Sequence, residues 1–164
     1  MHRTAVIMAA VAALIGSGCD RAAAPEQPQG GETSAAAPEA EPGSGASLDQ
    51  RLAFEAKKYA PGFVASGPVI HGQLSEGARS DHLLVLRAGH CYRVVAAGGE
   101  GVEDLDLVLF DPNDVQTQQD PAEDRFPVLG LQTEICPSAN GAYRLQAVMY
   151  KGAGAFVARL YQTQ

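Results

Sequence analysis

The stretch YRLQAVMYKGAGAFVARLY, at residues 143–161, decides the fold of this chain. Apolar and polar side chains alternate with a period of two residues through its first half, and Phe156, Ala158 and Leu160 resume the alternation after a Gly-Ala-Gly sequence at 152–154. A period of two is typical of a β-strand with one buried face. The stretch therefore predicts two strands joined by a tight turn.

Similar short strands are predicted upstream. The candidates lie at 69–74, 82–88, 91–97, 105–111 and 128–136. Turn chemistry separates them, with Asp111-Pro112-Asn113-Asp114 and Asn140-Gly141 as the clearest signals, while the polar segment 115–125 is predicted to be a mobile loop. Short strands at this spacing indicate an all-β fold, an antiparallel, jelly-roll-like β-sandwich of about seven or eight strands.

One short helix is predicted in front of the strands, at 47–60. Ser47 and Gln50 fit a capping box, and Pro61-Gly62 ends the pattern. Apolar residues recur at helical spacing. They are Leu48, Leu52, Ala56 and Tyr59. We expect this helix to pack on one edge or face of the sandwich; the alternative is that the segment merely extends the linker before it.

The first nineteen residues have the layout of a secretory signal. A short start containing Arg3 precedes an apolar run at 5–15, then small residues, then Cys19. The apolar run spans about 16 Å as a helix, which is too short for a membrane of about 30 Å. The cysteine makes the segment resemble a bacterial lipoprotein signal, although Gly16 stands where a large aliphatic residue is usual. That resemblance implies a lipidated Cys19 as the first mature residue; an ordinary cleaved signal and a retained anchor are the alternatives.

Three regions follow from the composition. Residues 1–18 are predicted to be the signal peptide, 19–46 a disordered tether and 47–164 the folded domain. The tether is rich in Ala, Pro, Gly and Ser, and it has no aromatic residue and no aliphatic side chain larger than Ala. Such a segment buries too little apolar surface to offset its chain entropy.

The charge balance is acidic and disfavours nucleic acid as a partner. The whole chain carries a net charge of −7, and residues 47–164 contain 10 Lys and Arg against 14 Asp and Glu. A domain of this charge has no electrostatic reason to bind a polyanion.

Two cysteines remain after Cys19, namely Cys91 and Cys136. In an oxidising compartment an even pair favours a disulfide. Two free buried thiols are the alternative.

An ordered series of motifs resembles a known family. It comprises Gly72-x-Leu74-x-x-Gly77, Cys91-Tyr92-Arg93-Val94, the run from Asp104-Leu105-Asp106-Leu107 to Asp111-Pro112, and Gly141-x-Tyr143-x-Leu145. The series is similar to the bacterial pre-peptidase C-terminal domain, a β-sandwich appended to many secreted proteases. The resemblance implies a non-catalytic accessory module, although no peptidase precedes the domain in this sequence.

Nine acids and no base lie between residues 100 and 124. Calcium takes six to eight oxygen ligands and relieves carboxylate repulsion. The candidate ligands are Asp104, Asp106, Asp111 and Asn113. The alternative is that these side chains are solvated loop residues and turn caps. Asp104 and Asp106 also form a carboxylate pair on one strand, but the absence of Trp and of a catalytic triad pattern disfavours a hydrolase.

The sequence thus predicts an exported, lipid-anchored, non-enzymatic binding or accessory module of the bacterial cell envelope. It predicts no cofactor other than calcium. The partners expected are a membrane, through Cys19, and an envelope protein or polysaccharide. A structural envelope lipoprotein without a discrete ligand is the alternative, and a small hydrolase is the least favoured reading.

Overall fold

The computed structural model describes residues 40–43 and 45–164. The predicted signal, Cys19 and nearly all of the predicted tether lie outside these residues. One helix and eight strands occur within the described part of the chain. They are α1 (Leu48–Tyr59), β1 (Phe63–Leu74), β2 (Arg79–Leu86), β3 (Tyr92–Gly98), β4 (Val102–Phe110), β5 (Gln116–Gln119), β6 (Val128–Leu129), β7 (Gly141–Gly152) and β8 (Gly154–Thr163).

The strands form two four-stranded sheets. The first sheet has the order β1-β8-β3-β6 and the second has the order β2-β7-β4-β5. All the strand pairs are antiparallel. Consecutive strands alternate between the sheets in the manner of a jelly roll, except that β4 and β5 are neighbours in the second sheet. The predicted fold class is therefore confirmed.

The two strands predicted at 143–161 are present, but they do not pair with each other. β7 enters the second sheet between β2 and β4, whereas β8 enters the first sheet between β1 and β3. Gly152, at the turn, has a φ of 85°, which glycine adopts without the strain that a side chain would cause. The turn therefore carries the chain from one sheet to the other.

Between the sheets lies the main core. Its members come from both inner faces and include Tyr92, Leu107, Leu145 and Phe156, each 1% exposed or less. In β7 the inward residues Leu145, Ala147 and Met149 are buried as the period of two predicts, while Val148 on the outward side is buried as well.

The helix begins after Ser47, whose hydroxyl accepts a hydrogen bond from the Gln50 backbone amide at 3.2 Å. The Gln50 side chain accepts one from the Ser47 amide, which completes the predicted capping box. Leu52 and Ala56 pack on the outer face of the first sheet, against Val95 and Val157. The first sheet is thus covered on both faces.

Three local predictions were wrong. The segment 115–125 contains β5, whose Gln-rich sequence gave no strand signal. Of residues 128–136, only Val128–Leu129 form a strand. Ile135, later in the same segment, makes an isolated β-bridge to Tyr92. β1 begins at Phe63 rather than at 69, because residues 63–66 also pair with β8, before an irregularity between Ser66 and Ile70.

The helix α1, the one helix within residues 40–43 and 45–164, is not long and apolar enough to span a bilayer.

Candidate functional site

The outer face of the second sheet is not covered by a helix in the described part of the chain, in contrast with the first sheet. Leu83 and Val85 of β2 lie on it and are 71% and 64% exposed. They alternate with the buried Leu84 and Leu86, which belong to the main core. We call the surface around Leu83, Val85 and the neighbouring Arg144 of β7 the exposed face.

Arg144 of β7 lies at the centre of the exposed face, opposite Leu83 in the β2–β7 register and opposite Phe110 in the β4–β7 register. Its guanidinium stacks over the Phe110 ring, 3.8 Å from the centroid. Such stacking is a favourable cation–π geometry. Arg144 is therefore stacked on the half-buried Phe110 on one side, while Leu83 on the other side is exposed.

Two carboxylates hold the same guanidinium. Arg144 Nη1 donates to Asp81 Oδ1 at 2.9 Å, and Nε donates to Asp114 Oδ1 at 3.0 Å. Gln146 also donates to Asp81, and this bond, with the help of Arg144, lowers the pKa of Asp81. The two carboxylates raise the pKa of Arg144. Arg144 thus adopts one fixed orientation, although it remains within reach of solvent.

The turn after β4 positions Asp114. Asp111 Oδ1 accepts hydrogen bonds from the backbone amides of Asn113 and Val115, at 2.8 and 2.9 Å. The Val115 bond is the largest cause that lowers the pKa of Asp111. Asp114 adopts a φ of 62°, a left-handed conformation that Asp tolerates better than most residues. The Asp-Pro-Asn-Asp sequence therefore directs a carboxylate back towards Arg144.

A second group of acids lies where the chain passes from β5 to β6. The backbone amide of Asp120 donates to the Leu107 carbonyl and that of Leu105 donates to the Asp124 carbonyl, both at 2.9 Å. This segment therefore runs alongside β4. Asp106, on β4, accepts a hydrogen bond from Gln119 at 3.2 Å, and burial raises its pKa.

Asp120 is the most deeply buried acid of this group, at 5% exposed. Its Oδ1 accepts from the Val128 amide at 3.3 Å, whereas its Oδ2 has no hydrogen-bond partner among the described residues. Burial is the main cause that raises its pKa to about 6. Asp104 has a buried Oδ1 that likewise lacks a partner, and burial raises its pKa as well.

The structure divides the four predicted calcium ligands into two pairs. Asp104 and Asp106 lie near the start and middle of β4, whereas Asp111 and Asn113 lie in the turn after it. Five residues of extended strand separate Asp106 from Asp111, which corresponds to about 17 Å. The calcium hypothesis stays a prediction, but these four residues do not meet at one point.

Only one cluster of three potential metal ligands occurs within residues 40–43 and 45–164, and it consists of Cys91, Glu134 and Cys136. Both sulfurs of this cluster belong to the disulfide between Cys91 and Cys136. The predicted disulfide is therefore confirmed, and it removes the two thiolates that a metal would need.

Sequence reasoning missed Arg144 and Asp120. Arg144 reads as an ordinary polar residue of an amphipathic strand, and its partners lie 63 and 30 positions away. Asp120 is one of the nine acids between residues 100 and 124, and no neighbouring residue distinguishes it from the other eight. The one available signal was the Gln-rich run at Gln116–Gln119. Amide side chains both donate and accept, so they can hydrogen-bond to the unpaired backbone groups of a sheet edge.

No protein-family model matches this sequence, and no curated protein matches it. Solved structures with a similar fold include the following two. The pre-peptidase C-terminal domain of a collagenase from Bacillus anthracis is 15% identical, with a TM-score of 0.46 over 59% of this chain and 89% of that domain. A periplasmic inhibitor of g-type lysozyme from Aeromonas hydrophila is 14% identical, with a TM-score of 0.43 over 60% of this chain and 88% of that one. The first is a domain of the kind that the sequence motifs resemble, and the similarity concerns the fold.

Proposed function

We propose that this chain is an exported, lipid-anchored binding or accessory module of the bacterial cell envelope, without enzymatic activity of its own. The exposed face of the second sheet is the surface that meets its partner, an envelope protein. The observation that carries this proposal is the combination of exposed Leu83 and Val85 with a fixed Arg144 on Phe110.

Arg and aromatic side chains surrounded by apolar area are the groups that dominate protein–protein binding energy. A side chain that is already fixed loses little conformational entropy on binding. Arg144 meets this condition because Asp81 and Asp114 hold it before any partner arrives. A purely structural envelope protein would need no such feature on a solvated sheet.

The test is crosslinking of the full chain in its own cell envelope, followed by capture and mass spectrometry. Val85→Asp places a charge on the exposed face, and Val64→Asp is the matched control on β1 of the first sheet, where Val64 is 37% exposed. We expect one specific crosslinked protein that is lost with Val85→Asp and retained with Val64→Asp. Crosslinks to copies of this chain alone would support the structural alternative instead.

We propose that acyl chains on Cys19 insert into the membrane and that residues 19–46 tether the folded domain to it. One acyl chain gives only marginal membrane binding, so stable anchoring needs more than one. Mass measurement of the mature N-terminus should show a diacylated or triacylated cysteine. An unmodified N-terminus, or membrane retention that survives Cys19→Ser, would contradict the anchor.

Calcium remains a proposal at the acidic end of β4, where Asp104 and Asp106 have raised pKa values. Bound calcium stabilises the folded state by mass action. Thermal unfolding of the full chain with 1 mM calcium (about a thousandfold above a micromolar affinity) should then occur several degrees higher than with chelator. Asp106→Asn should abolish the difference and Asp111→Asn should leave it unchanged; coincident melting curves for the unmodified chain would exclude the site.

A further inference from the structure

The strand β2 is an edge of the second sheet. It pairs with β7 on one side, and no strand of the described part of the chain lies on its other side. Its residues, Arg79–Leu86, pair with β7 without a shift in register and include neither proline nor glycine. A regular edge strand of this kind presents a row of unpaired N–H and C=O groups to a further strand.

The other sheet edges are interrupted or joined to each other. β1 contains Pro68 and an irregularity in its pairing. On the opposite side of the sandwich, the side chain of Gln118 on β5 accepts from the Gly130 amide at 2.9 Å and donates to the Thr133 carbonyl at 2.8 Å, both just after β6. Proline, bulges and covered backbone groups are the features that prevent strand addition. Among the described strands, β2 is therefore the edge that can accept another strand.

Alternate residues of β2 direct their backbone groups to this free edge. In an antiparallel pair, hydrogen-bonded positions alternate with positions whose N–H and C=O groups point away from the neighbouring strand. The Met149 amide of β7 donates to the Ala78 carbonyl at 3.0 Å, directly before β2. The register is unbroken from there, so even-numbered residues of β2 bond to β7. The N–H and C=O groups of Leu83 and Val85 therefore point to the free edge.

The sequence DHLLVLR at 81–87 is complementary to a second copy of itself in antiparallel orientation. Its odd-numbered residues are acidic, apolar, apolar and basic in order, and all four are exposed: Asp81, Leu83, Val85 and Arg87. Antiparallel pairing about Leu84 sets Leu83 opposite Val85 of the second copy and Asp81 opposite Arg87 of the second copy. Each pair occurs twice by symmetry, and apolar and opposite-charge pairs across strands are stabilising.

Both charged groups have room for this pairing. Asp81 accepts from Arg144 and Gln146 through Oδ1 alone, so Oδ2 can accept from a second guanidinium. Arg87 is exposed, and no ion pair joins it to another residue within 40–43 and 45–164. The ends of the segment therefore carry one available acid and one available base.

Other registers lose this complementarity. A shift of two residues in one direction sets Asp81 opposite Val85 and Arg79 opposite Arg87 of the second copy. The opposite shift sets Leu83 opposite Arg87. Shifts by an odd number of residues place outward side chains opposite inward ones. The charges and the apolar pair thus favour the same register.

We propose that two copies of this chain pair antiparallel along β2, about a twofold axis at Leu84, so that their two four-stranded second sheets form one continuous sheet. Backbone hydrogen bonds join Leu83 of each copy to Val85 of the other. Because a twofold contact uses the β2 edge of both copies, association ends at the dimer. The outward side chains stay on the exposed face, so the dimer is independent of the envelope partner, whose own test is crosslinking.

The experiment is sedimentation equilibrium of the full chain in density-matched non-ionic detergent, from about 5 to about 500 µM. A single strand pair is a small interface, so we expect a dissociation constant of about 10–100 µM. The association should fit a monomer and a dimer. A monomer alone at the highest concentration, or species that grow beyond the dimer, would overturn the proposal.

Two variants with the same change in charge test the register. Arg87→Glu sets like charges opposite Asp81 in both copies and should weaken the dimer at least about tenfold. Arg79→Glu changes an exposed residue of the same strand, whose opposite position lies beyond the end of the second β2, and should change the affinity less than about twofold. Amide NMR spectra confirm that both variants fold. A dimer that Arg87→Glu leaves unchanged would show that the copies associate through another surface.

Hydrogen exchange locates the backbone pairing. The amides of Leu83 and Val85 should exchange at least about fivefold more slowly at about 500 µM than at about 5 µM, because the dimer bonds them. The amide of Arg79 points to the same edge outside the paired segment, and its exchange should not depend on concentration. Equal exchange of Leu83 and Val85 at the two concentrations would contradict the pairing along β2.

Discussion

Asp120 shows at the residue scale how position within the fold changes the chemistry of a side chain. An Asp in a solvated loop titrates near 4, but in this structure burial raises the pKa to about 6. The folded state therefore holds a proton at a pH where the unfolded chain has already lost it. The contribution of this group to stability is therefore present below about pH 4 and is lost as the pH rises from about 4 to about 6.

Asp120→Asn should consequently stabilise the fold at pH 8 and have little effect at about pH 3.5, below the pKa of the carboxyl in the unfolded chain. A pKa raised to about 6 lowers the free energy of unfolding by at most about 3 kcal/mol at high pH. We therefore expect the variant to gain about 1–3 kcal/mol of unfolding free energy at pH 8. The measurement is urea unfolding of the variant and the unmodified chain at both pH values. Glu123→Gln serves as the exposed control, and a variant with the same stability as the unmodified chain at pH 8 would refute the effect.

At the scale of elements, α1 makes the difference between the two sheets. It covers the outer face of the first sheet through Leu52 and Ala56, whereas the outer face of the second sheet keeps Leu83 and Val85 exposed. The helical periodicity predicted this helix and its buried stripe. No local pattern indicates which of two sheets a helix will cover, because that choice depends on the order of strands that are distant in sequence.

Leu52→Ala and Leu83→Ala remove the same atoms from the two environments. Leu52 is 2% exposed and Leu83 is 71% exposed. The first variant should lose about 2–5 kcal/mol of unfolding free energy, because it leaves a cavity under the helix. The second should change stability by less than about 0.5 kcal/mol. Chemical denaturation measures both, and similar losses in the two variants would mean that α1 does not pack as described.

For the molecule as a whole, the disulfide closes a region with little secondary structure. Between β6 and β7 the chain is joined to β3 by the Ile135–Tyr92 bridge and by the bond between Cys91 and Cys136. The cysteines are 45 positions apart. A loop of this length is worth about 4 kcal/mol in the chain-entropy description.

Reduction should therefore lower the denaturant midpoint and first loosen the segment after β6. Urea unfolding with and without reductant measures the global effect, and amide exchange at 130–136 measures the local one. A Cys91→Ser/Cys136→Ser variant is the control, since its midpoint should not respond to reductant. An unchanged midpoint for the unmodified chain after complete reduction would contradict the prediction.

The sequence by itself determined the fold class, the helix with its cap, and the pair of cysteines. Each rests on local signals: a period of two, a helical period with Ser47 and Gln50, and an even number of thiols. Only the tertiary structure decided that Arg144 lies between Asp81 and Asp114, that Gln118 joins two sheet edges, and that Asp120 is buried. These contacts join residues that are distant along the chain or depend on burial, and neither can be read from neighbouring side chains.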